Sequence, residues 1–141
     1  MPKVFTSDKQ KIGQLGEDIA CMFLMKHGYN ILERNYTKKW GEIDIIGRKD
    51  DKIYFFEVKS TSVSPVPDEA RALAGETQND SYRPEDNMHP WKIKRLSRTI
   101  QTFLLDRNVP ENMDWQFDVL AVFLNLEKRT GQVRRIENVI L

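Results

Sequence analysis

The stretch from Trp40 to Ser60, WGEIDIIGRKDDKIYFFEVKS, decides how the chain is read. Two runs rich in Ile, Phe and Val flank the turn RKDDK, the pattern of a β-hairpin. Charged residues interrupt both: Glu42 and Asp44 in the first run, Glu57 and Lys59 in the second. Burying such groups is costly unless each finds a partner. Residues two apart in a strand share a face, so Glu57 and Lys59 point one way and Val58 the other. By the same rule Glu42 and Asp44 share a face, with Ile43 and Ile45 opposite. Pairing the runs about RKDDK brings Asp44 beside the Glu57–Lys59 end, furthest from the turn.

Working outward, YNILERNY reads as a strand before the hairpin. KIYFFEVKS is apolar on both faces as far as Glu57, as a central strand would be. Before these, a helix starts at Ser7 or Asp8, with Ile12, Leu15, Ile19, Met22 and Phe23 on one face, and ends at His27-Gly28. A second helix runs from Trp91 to about Arg107, burying Ile93, Leu96, Ile100, Phe103 and Leu104. WQFDVLAVFLNL is a buried strand, and QVRRIENVIL follows the turn KRTGQ as the last. The order α-β-β-β-α-β-β predicts an α/β protein, a mixed central sheet flanked by helices, with residues 1–141 forming one domain. Residues 61–90 are irregular: Pro65, Pro67, Pro84 and Pro90 punctuate them, with a short helix expected from Pro67 in PDEARALAG. Connections of that length are functional or disordered.

Composition narrows the function. With 141 residues, 40% of them hydrophobic, the chain can build a real core. No apolar run approaches the roughly 18 residues of a membrane span, and the first residues lack the apolar stretch of a secretory signal. Lone Cys21 has no internal disulfide partner, and one cysteine with two histidines is too few for a Cys/His zinc cluster. A reduced, cytoplasmic compartment is expected. The net charge of +1 argues against a strongly basic, nonspecific nucleic-acid binder. Yet residues 61–90 hold six acids and two bases, a net of −4, so the rest of the chain carries +5. A moderately basic body with an acidic insert is compatible with a nucleic-acid partner.

Asp44, Glu57 and Lys59 gathered at one sheet end have a clear chemical use. Mg²⁺ takes one or two protein carboxylates, several waters and substrate phosphate oxygens. A nearby lysine can orient the attacking water or neutralise developing charge. Glu17, at the margin of the first helix's buried face, can look into the same site. Gly13 and Gly16, poor helix formers, suggest that this helix approaches the sheet closely.

GQLGEDIACMFLMKHGYNILERNY, GEIDII, FFEVKS and WQFDVLAVF together resemble the YraN family of bacterial proteins. That family in turn resembles the PD-(D/E)XK nucleases, with the restriction endonuclease-like fold shared with archaeal Holliday-junction resolvases. The resemblance covers most of the chain outside residues 61–90. It implies that Asp44 and Glu57 are acidic metal ligands and Lys59 the catalytic lysine. Glu17 matches the helix-one acid, Glu42 the acid of GEID acting behind the ligands, and Lys92 the lysine that opens the second helix. Gln116 stands where the family often carries arginine.

The expectation is a Mg²⁺- or Mn²⁺-dependent nuclease cutting phosphodiester bonds in DNA, branched or single-stranded, in repair, recombination or DNA uptake. Asp44, Glu57 and the Val58 backbone carbonyl would hold the metal, and Glu17 a second ion or the site itself. The rival from another class is a non-cleaving nucleic-acid-binding module or scaffold on the same fold. Lys94, Arg98 and Gln101, at i, i+4 and i+7, form either a solvated helix flank or a track for phosphates. Lys38, Lys39 and Trp40 have the same two readings, charge and stacking surface or plain surface. Asp118 reads as a structural, hydrogen-bonded acid. Resembling enzymes are often homodimers, and the acidic insert offers a surface for a protein partner.

Overall fold

The computed structural model describes residues 8–62 and 89–141. Along the chain run α1 (Asp8–Lys26), β1 (Asn30–Lys38), β2 (Gly41–Lys49), β3 (Lys52–Ser62), α2 (Pro90–Asp106), β4 (Asp114–Asn125) and β5 (Thr130–Ile136). The strands form one sheet in the order β1-β2-β3-β4-β5. Every neighbouring pair is antiparallel except β3 and β4, which run parallel from Lys52↔Asp114 to Ser62↔Leu124. A parallel pair needs a crossover connection, and α2 lies within it. The sequence order and the mixed sheet are as expected.

Local chemistry fixes the ends of the helices. Gly28 adopts φ +87 after α1, its N–H donating to Met25 O and the Tyr29 N–H to Leu24 O, the paired bonds of a Schellman stop. Asn108, at φ 50, ends α2 in the same way, with Asn108 and Val109 bonding back to Leu105 and Leu104. Pro90 opens α2, where its missing N–H costs nothing. β2 and β3 meet across Asp50-Asp51, with Lys49 opposite Lys52.

Two cores lie on opposite faces of the sheet. Ile53, Phe55, Phe117 and Val119 pack with Leu96, Ile100 and Phe103 of α2. Phe56, Leu120, Val122 and Leu124 pack with Ala20, Cys21 and Leu24 of α1. Successive residues of β3 thus feed different cores, which is why that strand is apolar on both faces.

Three expectations need correction. Met22 is 53% exposed; the buried line of α1 runs through Gly16, Ala20, Cys21 and Leu24 instead. Small residues let the helix lie close to the sheet, so they, not the largest apolar ones, set its rotation. Gly16 meets that demand, since a Cβ there would collide with the Ser60 side chain, whereas one at Gly13 would meet open space. Of the stretch 61–90 expected to be irregular, Thr61 and Ser62 belong to β3 and Pro90 to α2. The Ser7 cap and the helix from Pro67 fall outside the described residues. Among the described residues, no helix is long and apolar enough to cross a membrane.

Candidate metal centre

The site forms where β2 parts from β3. Their ladder ends at Ile45↔Phe56, while β3 stays paired with β4 to its last residue. The start of β2 turns toward α2: a Cβ on Gly41 would collide with Thr99 Oγ1, and the Arg95 Nε donates to the Trp40 carbonyl at 2.7 Å. On the other side of β2, pairing with β1 skips from Arg34↔Ile45 to Tyr36↔Ile43, and Asn35 between them takes φ 54. The strand flips there. Ile43 enters the α2-side core and Ile45 the α1-side core, so the expected shared face of Ile43 and Ile45 does not hold. Strict alternation assumes an unbroken pleat, and Asn35 breaks it.

Asp44 sits at this break, between the layers. Its Oδ2 accepts a 2.8 Å hydrogen bond from the Val58 N–H, replacing the backbone partner that the ladder no longer supplies. In an extended strand the N–H and C=O of one residue share an edge, so the Val58 carbonyl is directed to the same gap. Asp44 lines two cavities. One, of about 350 Å³ on the α2 side, is shared with Glu42, Glu57, Trp91, Lys92 and Arg95. The other, of about 520 Å³ on the α1 side, is shared with Lys9, Gly13, Glu17 and Ser60.

Glu57 and Lys59 do project together, toward α2. Glu57 Oε1 receives Lys59 Nζ at 3.3 Å and Lys92 Nζ at 2.6 Å. Its other oxygen, Oε2, is buried and has no hydrogen-bond partner. Such an orphan costs about 1–3 kcal/mol or more when charged, so buried polar atoms are rarely left this way without a reason. Burial, together with the charges of Glu57, Glu17 and Glu42, pushes the Asp44 carboxyl up to about 7, against the pull of the Val58 N–H. Burial pulls the Lys59 ammonium the other way. Hydrogen bonding within the Lys59–Glu57–Lys92 cluster and the charges of Glu57 and Asp44 outweigh it, so its pKa is raised and it stays charged.

The remaining candidates divide. Glu17 is near enough for its charge to act on Asp44, but its Oε1 is held by Arg34 (3.0 and 3.1 Å) and Asn35 (3.0 Å). Glu42 is exposed at the rim of the α2-side cavity. Among the described residues, no three His, Cys, Asp or Glu side chains are grouped to hold a metal ion. Asp44 and Glu57, which line the α2-side cavity with Glu42 at its rim, are the carboxylates that could hold a cation. Two carboxylates are within what Mg²⁺ requires of a protein, its other positions going to water and phosphate. Lys94, Arg98 and Gln101 are all exposed on α2, with the Arg98 guanidinium 4.1 Å from the Trp40 ring centroid. Lys38 is tied to Asp106 at 3.3 Å, fourteen helical positions beyond Lys92, or about 21 Å along α2. Lys39 is exposed. Arg34, Trp91 and Arg95 escaped the sequence reading. Hairpin register could have found Arg34, which pairs with Ile45 next to Asp44.

Comparison with known proteins identifies the family. The model described as "Uncharacterised protein family UPF0102" matches residues 16–122. A UPF0102 protein of Campylobacter jejuni is 36% identical over 110 residues, 78% of this chain and 81% of that one. A UPF0102 protein of Helicobacter hepaticus is 33% identical over 129 residues, covering 92% and 94%. One from Desulforamulus reducens is 32% identical over 133 residues, covering 94% and 97%. The chain therefore belongs to the UPF0102 family, the YraN-like family that its GEID and EVK segments resemble.

Proposed function

We propose that this chain is a Mg²⁺- or Mn²⁺-dependent nuclease that hydrolyses phosphodiester bonds in DNA. The observation that carries the reading is the buried, unpartnered Glu57 Oε2, set beside Asp44 with two ammonium groups close by. Asp44, Glu57 and the Val58 carbonyl are the oxygens that would hold the ion. A divalent cation bound there lowers the pKa of a coordinated water and neutralises phosphate charge. Lys59, kept charged, orients the attacking water or donates to the phosphate as negative charge develops. Lys92 holds Glu57 in place from α2. Glu17 and exposed Glu42 add negative potential that favours a cation, with Glu17 restrained by Arg34. Lys94, Arg98 and Gln101, exposed on α2, would contact backbone phosphates.

One observation favours the rival, a binding module without cleavage: Lys59 and Lys92 already neutralise Glu57 without a metal. A cleavage panel separates the two readings. Single-stranded, duplex, flapped and four-way DNA, with RNA alongside, is incubated with Mg²⁺ and with Mn²⁺, using parent, Asp44→Asn and Lys59→Ala. The nuclease reading expects metal-dependent cutting by the parent and loss in both variants. A parent that binds DNA and cuts nothing supports the binding module, and undiminished cutting by Lys59→Ala places the activity elsewhere.

A further inference from the structure

Trp91 is the second residue of α2, and 58% of it is exposed. A single exposed apolar side chain ordinarily needs no explanation. This one lines the same cavity as Asp44 and Glu57, and its sequence neighbour Lys92 is bonded to Glu57. A broad aromatic surface therefore stands one residue from the carboxylate cluster.

The ring is supported without being covered. The His89 ring lies nearly parallel to it, 7° between planes and 6.3 Å between centroids. The Arg95 guanidinium is 5.5 Å from its centroid and is itself anchored by the 2.7 Å bond to the Trp40 carbonyl. The cavity, about 350 Å³, falls in the range of roughly 300–1,000 Å³ typical of ligand clefts. Its lining joins an aromatic face, cationic groups and carboxylates. A nucleotide presents a matching set: a π-face, a phosphate, and a phosphate-bound cation.

We propose that Trp91 is a stacking platform for an unpaired nucleobase of the strand whose phosphate enters this cavity. The inference rests on the nuclease reading of the site and adds the substrate class. Bases inside a duplex are stacked on one another and present only their edges in the grooves. An unpaired base offers its face at little cost, and a paired one must first be unstacked. Trp91 thereby selects single-stranded or locally unpaired DNA over continuous duplex, and Arg95 adds a cation beside the stacked base.

The test is binding in EDTA, so that cleavage does not enter. Fluorescence anisotropy is read with a fluorescein-labelled single strand of mixed sequence and with a strand of equal length built wholly of abasic tetrahydrofuran units. The parent should bind the base-bearing strand more tightly. Trp91→Ala should weaken that binding roughly tenfold, a typical effect of losing one stacked base, and leave abasic-strand binding unchanged. Trp91→Phe should retain most of the affinity. Circular dichroism checks that both variants fold. Unchanged binding in Trp91→Ala, or an equal loss on both strands, overturns the platform and leaves the nuclease reading standing. A parent that binds neither strand also overturns the platform, while the nuclease reading is decided separately by the cleavage panel with Mg²⁺ and Mn²⁺.

Discussion

Two acidic clusters occupy one sheet and differ in what they leave undone. Asp118 on β4 is fully buried, yet its oxygens are satisfied. Oδ1 accepts from Gln116 and from the Asn138 N–H, and Oδ2 from the Arg135 guanidinium at 2.7 and 2.9 Å. Arg135 in turn lies 5.3–5.9 Å from the ring centroids of Tyr29, Tyr54 and Phe56. The Asp44–Glu57 cluster is less buried and less complete: Glu57 Oε2 is an orphan, and Asp44 is pushed toward the protonated form. A closed network serves structure, because every charge is answered from within the chain. An open one keeps electrostatic demand for something outside it.

The contrast can be broken most directly at Asp118. Asp118→Ala strips the buried charge from Arg135 and should cost about 3–5 kcal/mol in urea denaturation, as breaking a buried ion pair does. A loss below about 1 kcal/mol would mean that the network is replaceable and the contrast false. Lys59→Ala probes the open cluster. It should lower cleavage about 100- to 1,000-fold with little change in stability, and metal binding should persist, since removing an ammonium relieves repulsion of the cation.

Asp44 sharpens the comparison through pH. Its folded carboxyl titrates near 7, above the ordinary 3.8 of its unfolded form, so ionising it opposes folding. That penalty is absent below the unfolded value, grows as pH rises toward 7, and is constant above. Asp44→Asn lacks it. In a chelator, the stability of Asp44→Asn relative to the parent should therefore improve by about 1–2 kcal/mol between pH 6 and pH 8. A pH-independent difference would show that Asp44 is not held in a hostile site.

The smallest effect lies outside both clusters. Lys94→Ala with Arg98→Ala should lower the log–log salt slope of DNA binding by about 0.7–0.9 for every phosphate that the two cations neutralise. An unchanged slope would return this flank of α2 to a solvated surface.

The order of elements, the hairpin about Asp50-Asp51 and the central place of β3 were legible in the sequence, because period-2 alternation, turn residues and doubly apolar runs are local signals. So was the pairing of Glu57 with Lys59, two residues apart on one unbroken strand. Asp118 could be read as a structural acid because it stands inside a continuous apolar run. Three features were decided only by tertiary packing. Opposite the left-handed Asn35 within β1, β2 loses its alternation and Ile43 and Ile45 enter different cores, and no local pattern marks where a pleat breaks. Close approach at Gly16 rotated α1 and left Met22 exposed, since the tightest approach, not the bulkiest residue, fixes a helix's orientation. The last concerns partners: Arg34 with Glu17, Lys92 with Glu57, and Trp91 beside the carboxylates lie on different elements. Charge and aromaticity are properties of a sequence, but which groups answer one another depends on distances that exist only after the chain folds.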